Sequence, residues 1–333
     1  MTHNANAASV CEDMFVRQNY SPRDSAEVLA GLFQRTHIRE WFDLLKKSAG
    51  SIDIVDSVER SAIRIEINRL KIGWRSLDVV QTERSINLLG EHLFWYDKAA
   101  VVVEANQYRT RTIAKRNGAT DELLSRISPE WSVGLALHES LHNFEQDHWR
   151  SLRRPAEIQS SSVSYDPAAR IRLNTALIEI SHRIEILLSD HFRSAEVRSL
   201  PNDAVIQKII ADTRVAFQQE QTSWNDLRVV ATRESTASFV ETLAIAAAKE
   251  HGPHKVPTDS ALLAEAYSVH KQKLSFQRKT RVNESSIYIG YGFGADLLFL
   301  ASARGVSQAK LAEIFRDSSD PFSEILDTLA RRP

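Results

Sequence analysis

The sequence predicts a predominantly α-helical protein with one small β-sheet, an α+β fold. Apolar residues recur at helical spacing over 25–47, 168–193, 203–219 and roughly 225–250. In contrast, Ile63, Ile65 and Ile67 alternate with polar residues, which is the period of a half-buried strand. The 333 residues are enough for one large domain or two closely packed ones.

Along the chain, the first elements form a helical and small-sheet subdomain. Residues 1–24 are polar and are expected to be a flexible leader, and the subdomain then covers 25–127. Its best strand candidates lie in 51–74. The run A-V-V-V-E at 100–104 is either another strand or part of a long helix that begins near residue 86.

The second predicted subdomain, 128–333, is mostly helical. It opens with a helix that Ser128 can cap and in which Pro129 and Glu130 suit the first turn. Two short amphipathic segments, 308–315 and 321–330, close the chain.

Composition limits the possible partners and location. Lys and Arg number 42 against 43 Asp and Glu, so no global charge attracts nucleic acid or anionic lipid, and a small or neutral partner is favoured. The N-terminus does not resemble a signal peptide, no run reaches the roughly 18 apolar residues of a membrane span, and we expect a cytoplasmic protein. With Cys11 as the single cysteine, any metal must be held by histidine and carboxylate.

The motif H-E-S-L-H, residues 138–142, points to metal chemistry. On a helix, His138 and His142 lie one turn apart on the same face and can share one ion. Glu139 lies beside that ion, where its carboxylate can take a proton from an activated water. The alternative is a solvated helix face that is rich in imidazole and carboxylate.

A catalytic zinc site needs a third protein ligand, and two residues are candidates. His148 has the required spacing only if the helix breaks where Glu145 stands; on a continuous helix it points away from the site. Glu234 is the other candidate, in R-E-S-T-A-S-F-V-E at 233–241.

These two segments together resemble the gluzincin metallopeptidases, in particular the aminopeptidase N branch. The resemblance implies a zincin-like core in which His138, His142 and Glu234 bind Zn²⁺ and Glu139 is the general base. It also implies that 168–219 is an inserted helical segment, and that Tyr291, or alternatively Tyr288, donates a hydrogen bond to the oxyanion. The expected activity is zinc-dependent hydrolysis of an amide bond in a peptide or small molecule.

Two other functions remain open from the sequence. A carboxylate-bridged di-iron oxidase or oxygenase would use two E-x-x-H motifs and two further glutamates, namely Glu139 with His142, Glu179 with His182, Glu104 and Glu234. A non-catalytic, zincin-like binding protein is the other. The basic run 271–281 is expected to be a solvated face, or else a site for an acidic substrate or a peptide C-terminus.

Overall fold

The structure is a computed structural model that describes residues 21–32, 40–41, 50–67, 72–97, 100–119, 121–125, 127–152, 166–193, 203–249, 259–280 and 290–331. Five strands are present: β1 (Gly50–Asp56), β2 (Ser61–Ile67), β3 (Ile72–Ser76), β4 (Phe94–Asp97) and β5 (Ala100–Glu104). The helices before the middle of the chain are α1 (Pro22–Leu32), α2 (Val79–Leu89), α3 (Gln107–Arg116), α4 (Asp121–Leu124) and α5 (Pro129–Leu152). Those after it are α6 (Pro167–Arg193), α7 (Asp203–Gln219), α8 (Gln221–Lys249), α9 (Asp259–Thr280), α10 (Ala295–Ala303), α11 (Gln308–Asp317) and α12 (Pro321–Ala330), with a π-helical turn at Gly290–Gly294 before α10. The fold is therefore mainly α with a small sheet, as predicted.

The sheet is mixed, with strand order β3-β2-β1-β5-β4. β1 pairs antiparallel with β2 and parallel with β5, so Ile52 lies between Ile65 and Val101. The predicted alternation in β2 is confirmed, because Ile63 and Ile65 are buried while Glu66 is exposed. Ala100–Glu104 is a strand, which resolves the ambiguity left by the sequence.

The two faces of the sheet pack against different helices. The isoleucines and valines of one face join the main core with α1 and α5, whereas Val55, Ala62 and Val102 form a small second cluster with Leu89 of α2. Burial of both faces explains why β5 reads as a continuous apolar run rather than as clear alternation. In β1, Asp53 is buried as well, and it accepts hydrogen bonds from Arg64 and Ser85.

The helical half surrounds α8. Residues 235–248 of this helix are buried on every side, and α5 packs along it. Two buried hydroxyls on α8 are satisfied within the helix: Thr232 and Thr236 donate to the carbonyl oxygens four residues earlier. α6 and α7, the segment predicted to be an insertion, pack against each other, and α6 also packs against α8 and α10. The proposed subdomain boundary at 128 stays a prediction.

Two predicted boundaries can be compared closely. The helix that carries H-E-S-L-H begins at Pro129, as expected, with the Trp131 N–H donating to the Ser128 carbonyl. Residues 203–219 form α7 with the predicted bounds. The expected helix at 25–47 is described only in part, as α1 and at residues 40–41, and the expected leader lies outside the described residues apart from 21–24.

Candidate metal centre

Three potential metal ligands from α5 and α8 meet in the interior. Nε2 of His138 and Nε2 of His142 lie 3.0 Å apart. The Oε2 atom of Glu234 lies 3.4 Å from His142 Nε2 and 3.8 Å from His138 Nε2. Both histidines are buried, and the Glu234 side chain keeps 17% of its exposure. In the described part of the chain, this is the one group of three such side chains that could hold an ion.

The separations fit a single tetrahedral ion. Ligand bonds of about 2.0 Å at tetrahedral angles place neighbouring ligand atoms about 3.3 Å apart, and the three observed separations bracket that distance. Two imidazoles and one carboxylate are also a donor set found in catalytic zinc sites, where a fourth position stays open. The residues present therefore fit zinc.

A glycine sets the distance between the two ligand-bearing helices. Gly134 lies one turn before His138 on α5, and a Cβ there would come within 2.5 Å of Ile245 Cγ1 and 3.1 Å of Glu241 Cγ on α8. Only a residue without a side chain allows this approach. The close contact of α5 with α8 brings the histidines to the carboxylates of α8.

Glu241 holds His138 in the orientation that metal binding requires. Its Oε2 lies 2.8 Å from Nδ1 of His138, and both side chains are buried. Accepting the Nδ1–H fixes the tautomer, so that the lone pair on Nε2 faces His142 and Glu234. Lys273 of α9 donates a hydrogen bond to the same Glu241 oxygen.

The charge of Glu241 is stabilised by these partners. Burial alone raises the pKa of its carboxyl, but Lys273 and His138 outweigh burial and lower the pKa to about 2. Glu241 is therefore ionised at neutral pH. Lys273 belongs to the basic run 271–281. At this residue the run contacts Glu241, the partner of His138, rather than forming a solvated face.

Glu139 is buried beside the three ligands and meets a tyrosine from the sheet. The hydroxyl of Tyr96, on β4, donates a hydrogen bond to Oε2 of Glu139. Burial first, and then the charge of Glu139, raise the pKa of Tyr96 above its usual range. The phenol accordingly stays protonated and remains a hydrogen-bond donor.

Several residues that a di-iron site would use lie away from the candidate metal centre. Glu179 and His182 are on the exposed side of α6, where His182 pairs with Glu185. Glu104, at the end of β5, accepts hydrogen bonds from Ser57 and from the backbone of Asn106. The second E-x-x-H motif thus does not reach His138, His142 and Glu234, and nothing in the described geometry favours two metals.

Three predicted positions are only partly described. α5 continues through residue 148 to Leu152, but the side chain of His148 is outside the described residues. Tyr291 lies in the π-helical turn with its side chain likewise outside them, and Tyr288 is outside them altogether. Their roles stay predictions.

The sequence reasoning missed Glu241, Lys273 and Tyr96. Glu241 had a local signal, since it follows Glu234 by two helical turns and so shares its face of α8. Lys273 and Tyr96 contact their partners across 32 and 43 residues of sequence, and no local pattern marks such pairs.

Comparisons with known families, curated proteins and solved structures gave no match to this chain. Among the described residues, no helix is both long and apolar enough to cross a membrane.

Proposed function

We propose that the protein is a zinc-dependent hydrolase that cleaves an amide bond, most simply as a metallopeptidase of the gluzincin type. The observation that carries the proposal is the convergence of His138, His142 and Glu234 next to a buried glutamate, Glu139. A carboxylate oxygen and two imidazole nitrogens within 4.8 Å of one another are the donor set of a catalytic zinc site. Tyr96 adds a hydrogen-bond donor beside it.

Each side chain has a part in such a reaction. Zinc, when bound, supplies Lewis acidity, which makes water more acidic and polarises a carbonyl oxygen. His138, His142 and Glu234 hold the ion, and Glu241 keeps His138 in the required tautomer. Glu139 takes the proton of the attacking water and later returns it to the leaving amine. Tyr96 is protonated and adjacent, and we assign to its single O–H a hydrogen bond to the carbonyl oxygen that replaces the bond to Glu139 once Glu139 has taken the proton.

The edge of the sheet supports a peptide as substrate. β4 pairs with β5 and ends the sheet within the described residues, so its outer backbone groups can accept an added strand. A cleft of about 420 Å³ runs along this edge and is lined by Asn117 and by 92–96. Tyr96 both lines the cleft and contacts Glu139, which connects a bound extended chain to the general base.

Two substitutions separate binding of the metal from chemistry. Glu139→Gln should retain zinc and lose turnover, because the ligands stay while the proton acceptor is removed. Glu234→Ala should lose both. The test is zinc content by mass spectrometry beside cleavage of a mixed peptide library by each zinc-loaded protein. A Glu139→Gln protein that cleaves peptides at the wild-type rate would overturn the assigned mechanism.

A cytoplasmic location belongs to the same proposal and rests on the composition of the chain. Cell fractionation tests it directly.

A further inference from the structure

One cation beside the centre has no role in the mechanism above. Arg233 directly precedes Glu234 on α8, and its side chain is partly buried. Its Nε atom is buried and has no hydrogen-bond partner among the described residues. A buried donor of this kind costs about 1–3 kcal/mol when nothing accepts from it, and an acceptor group on a bound ligand would remove that cost.

The Arg233 side chain is close enough to Tyr96 for its charge to act on the phenol. Of the charges that act on Tyr96, Arg233 is the one that lowers the pKa of the phenol, against burial and the carboxylates of Glu139 and Glu234, which raise it. Arg233 is thus near the tyrosine that contacts the general base. It is also next in sequence to a metal ligand, so a group bound to it lies close to the ion.

The balance of charge at the centre favours an anion there. A divalent ion offsets the charges of Glu234 and Glu139, and Lys273 offsets Glu241 through their ion pair. Arg233 then remains as an additional positive charge near Tyr96 and Glu234. Guanidinium groups bind carboxylates through paired, charge-assisted hydrogen bonds, and arginine stays charged at all working pH values.

We propose that Arg233 binds a carboxylate of the substrate near the scissile bond, so that the enzyme selects acidic amides or peptides. This inference rests on the proposed function and names its substrate class. The carboxylate belongs either to an Asp or Glu side chain or to the C-terminus of a peptide, and both present the same group to Arg233.

Binding of small chelators tests the subsite without turnover. The probes are succinic acid monohydroxamate and the matched hydroxamate in which a carboxamide replaces the carboxylate, titrated calorimetrically into zinc-loaded protein. Wild type should bind the carboxylate probe about 10- to 100-fold more tightly, which is the range for a hydrogen bond to a charged group. Arg233→Met should bind both equally, Arg233→Lys should keep part of the preference, and Arg172→Met, which removes an exposed ion pair with Glu220, should behave as wild type.

The outcomes separate this inference from the proposed function. Absence of bound metal in wild type would overturn the metal centre and, with it, the subsite. Bound zinc together with equal affinity of wild type for the two probes would overturn the subsite alone, and this result does not depend on whether the Arg233→Met protein folds. Peptide pairs that differ as Asp against Asn, or as a free against an amidated C-terminus, then identify which carboxylate Arg233 binds.

Discussion

Replacing Glu241 by glutamine tests whether the carboxylate behind His138 tunes the centre. The substitution keeps the shape of the side chain but removes the charge that accepts the Nδ1–H of His138 at 2.8 Å and pairs with Lys273. Loss of a partner behind a metal-binding histidine typically lowers metal affinity 10- to 100-fold, or about 1.4–2.7 kcal/mol. We expect that range here, because both Glu241 and His138 keep only 4% of their side-chain exposure.

The same change should destabilise the metal-free protein. Lys273 would then carry a largely buried charge without its partner. Since the Lys273 side chain keeps 22% exposure, the free energy of unfolding should fall by about 1–3 kcal/mol, rather than by the 3–5 kcal/mol typical of a fully buried pair. Zinc affinity is measured by competition with a chromophoric chelator, and stability by urea unfolding of the metal-free protein.

The matched control is Glu265→Gln. It removes the ion pair of Glu265 with Lys249, in which each side chain is 37% exposed, and should change stability by less than about 1 kcal/mol and zinc affinity not at all. If Glu241→Gln bound zinc as tightly as the control, the reasoning that links this carboxylate to the metal would be refuted.

Three further predictions concern neighbouring features. Tyr96→Phe should keep zinc but lower kcat about 10²-fold, as loss of an oxyanion donor does; unchanged kcat with a set of cleaved peptides would remove Tyr96 from the mechanism. Gly134→Ala should lower the free energy of unfolding by about 1–3 kcal/mol, because the added Cβ overpacks the contact between α5 and α8. Gly73→Ala, where a Cβ meets nothing within 4 Å, should leave it nearly unchanged. Both are measured by urea unfolding, and equal effects would argue against the close helix contact. The folded-state pKa of Glu241 is about 2, below its ordinary 4.5, so the stability that its carboxylate contributes is complete above pH 4.5 and is lost as pH falls toward 2. Between pH 4.5 and 2, the melting temperature of the metal-free wild type should therefore fall more steeply than that of Glu241→Gln. Parallel curves for the two proteins would contradict this prediction.

Local sequence patterns predicted the secondary structure where one period dominates. Helix α7 and the alternating strand β2 are examples. β4 was missed because Leu93, Phe94 and Tyr96 continue the apolar spacing of α2, so periodicity alone extends the helix. The helix instead ends at Gly90, whose φ of +51° favours glycine and reverses the chain into the edge strand.

The residues of the site also divide into those that a local sequence pattern predicts and those that it does not. The pairing of His138 with His142 is a property of one helix turn and was predictable from spacing. Glu234 is on a different helix, and it was found through the resemblance of its surrounding segment rather than through any periodicity. Tyr96 has no pattern that marks it, since its place beside Glu139 depends on how the sheet edge packs against α5.

The most direct test of the metal centre is zinc stoichiometry in purified protein, measured by mass spectrometry for wild type, Glu234→Ala and Glu265→Gln side by side. Convergence of His138, His142 and Glu234 predicts one zinc per chain in wild type and in Glu265→Gln, and a loss of that zinc in Glu234→Ala. Absence of zinc from wild type, or full retention by Glu234→Ala, would contradict the assignment of these three residues as its ligands.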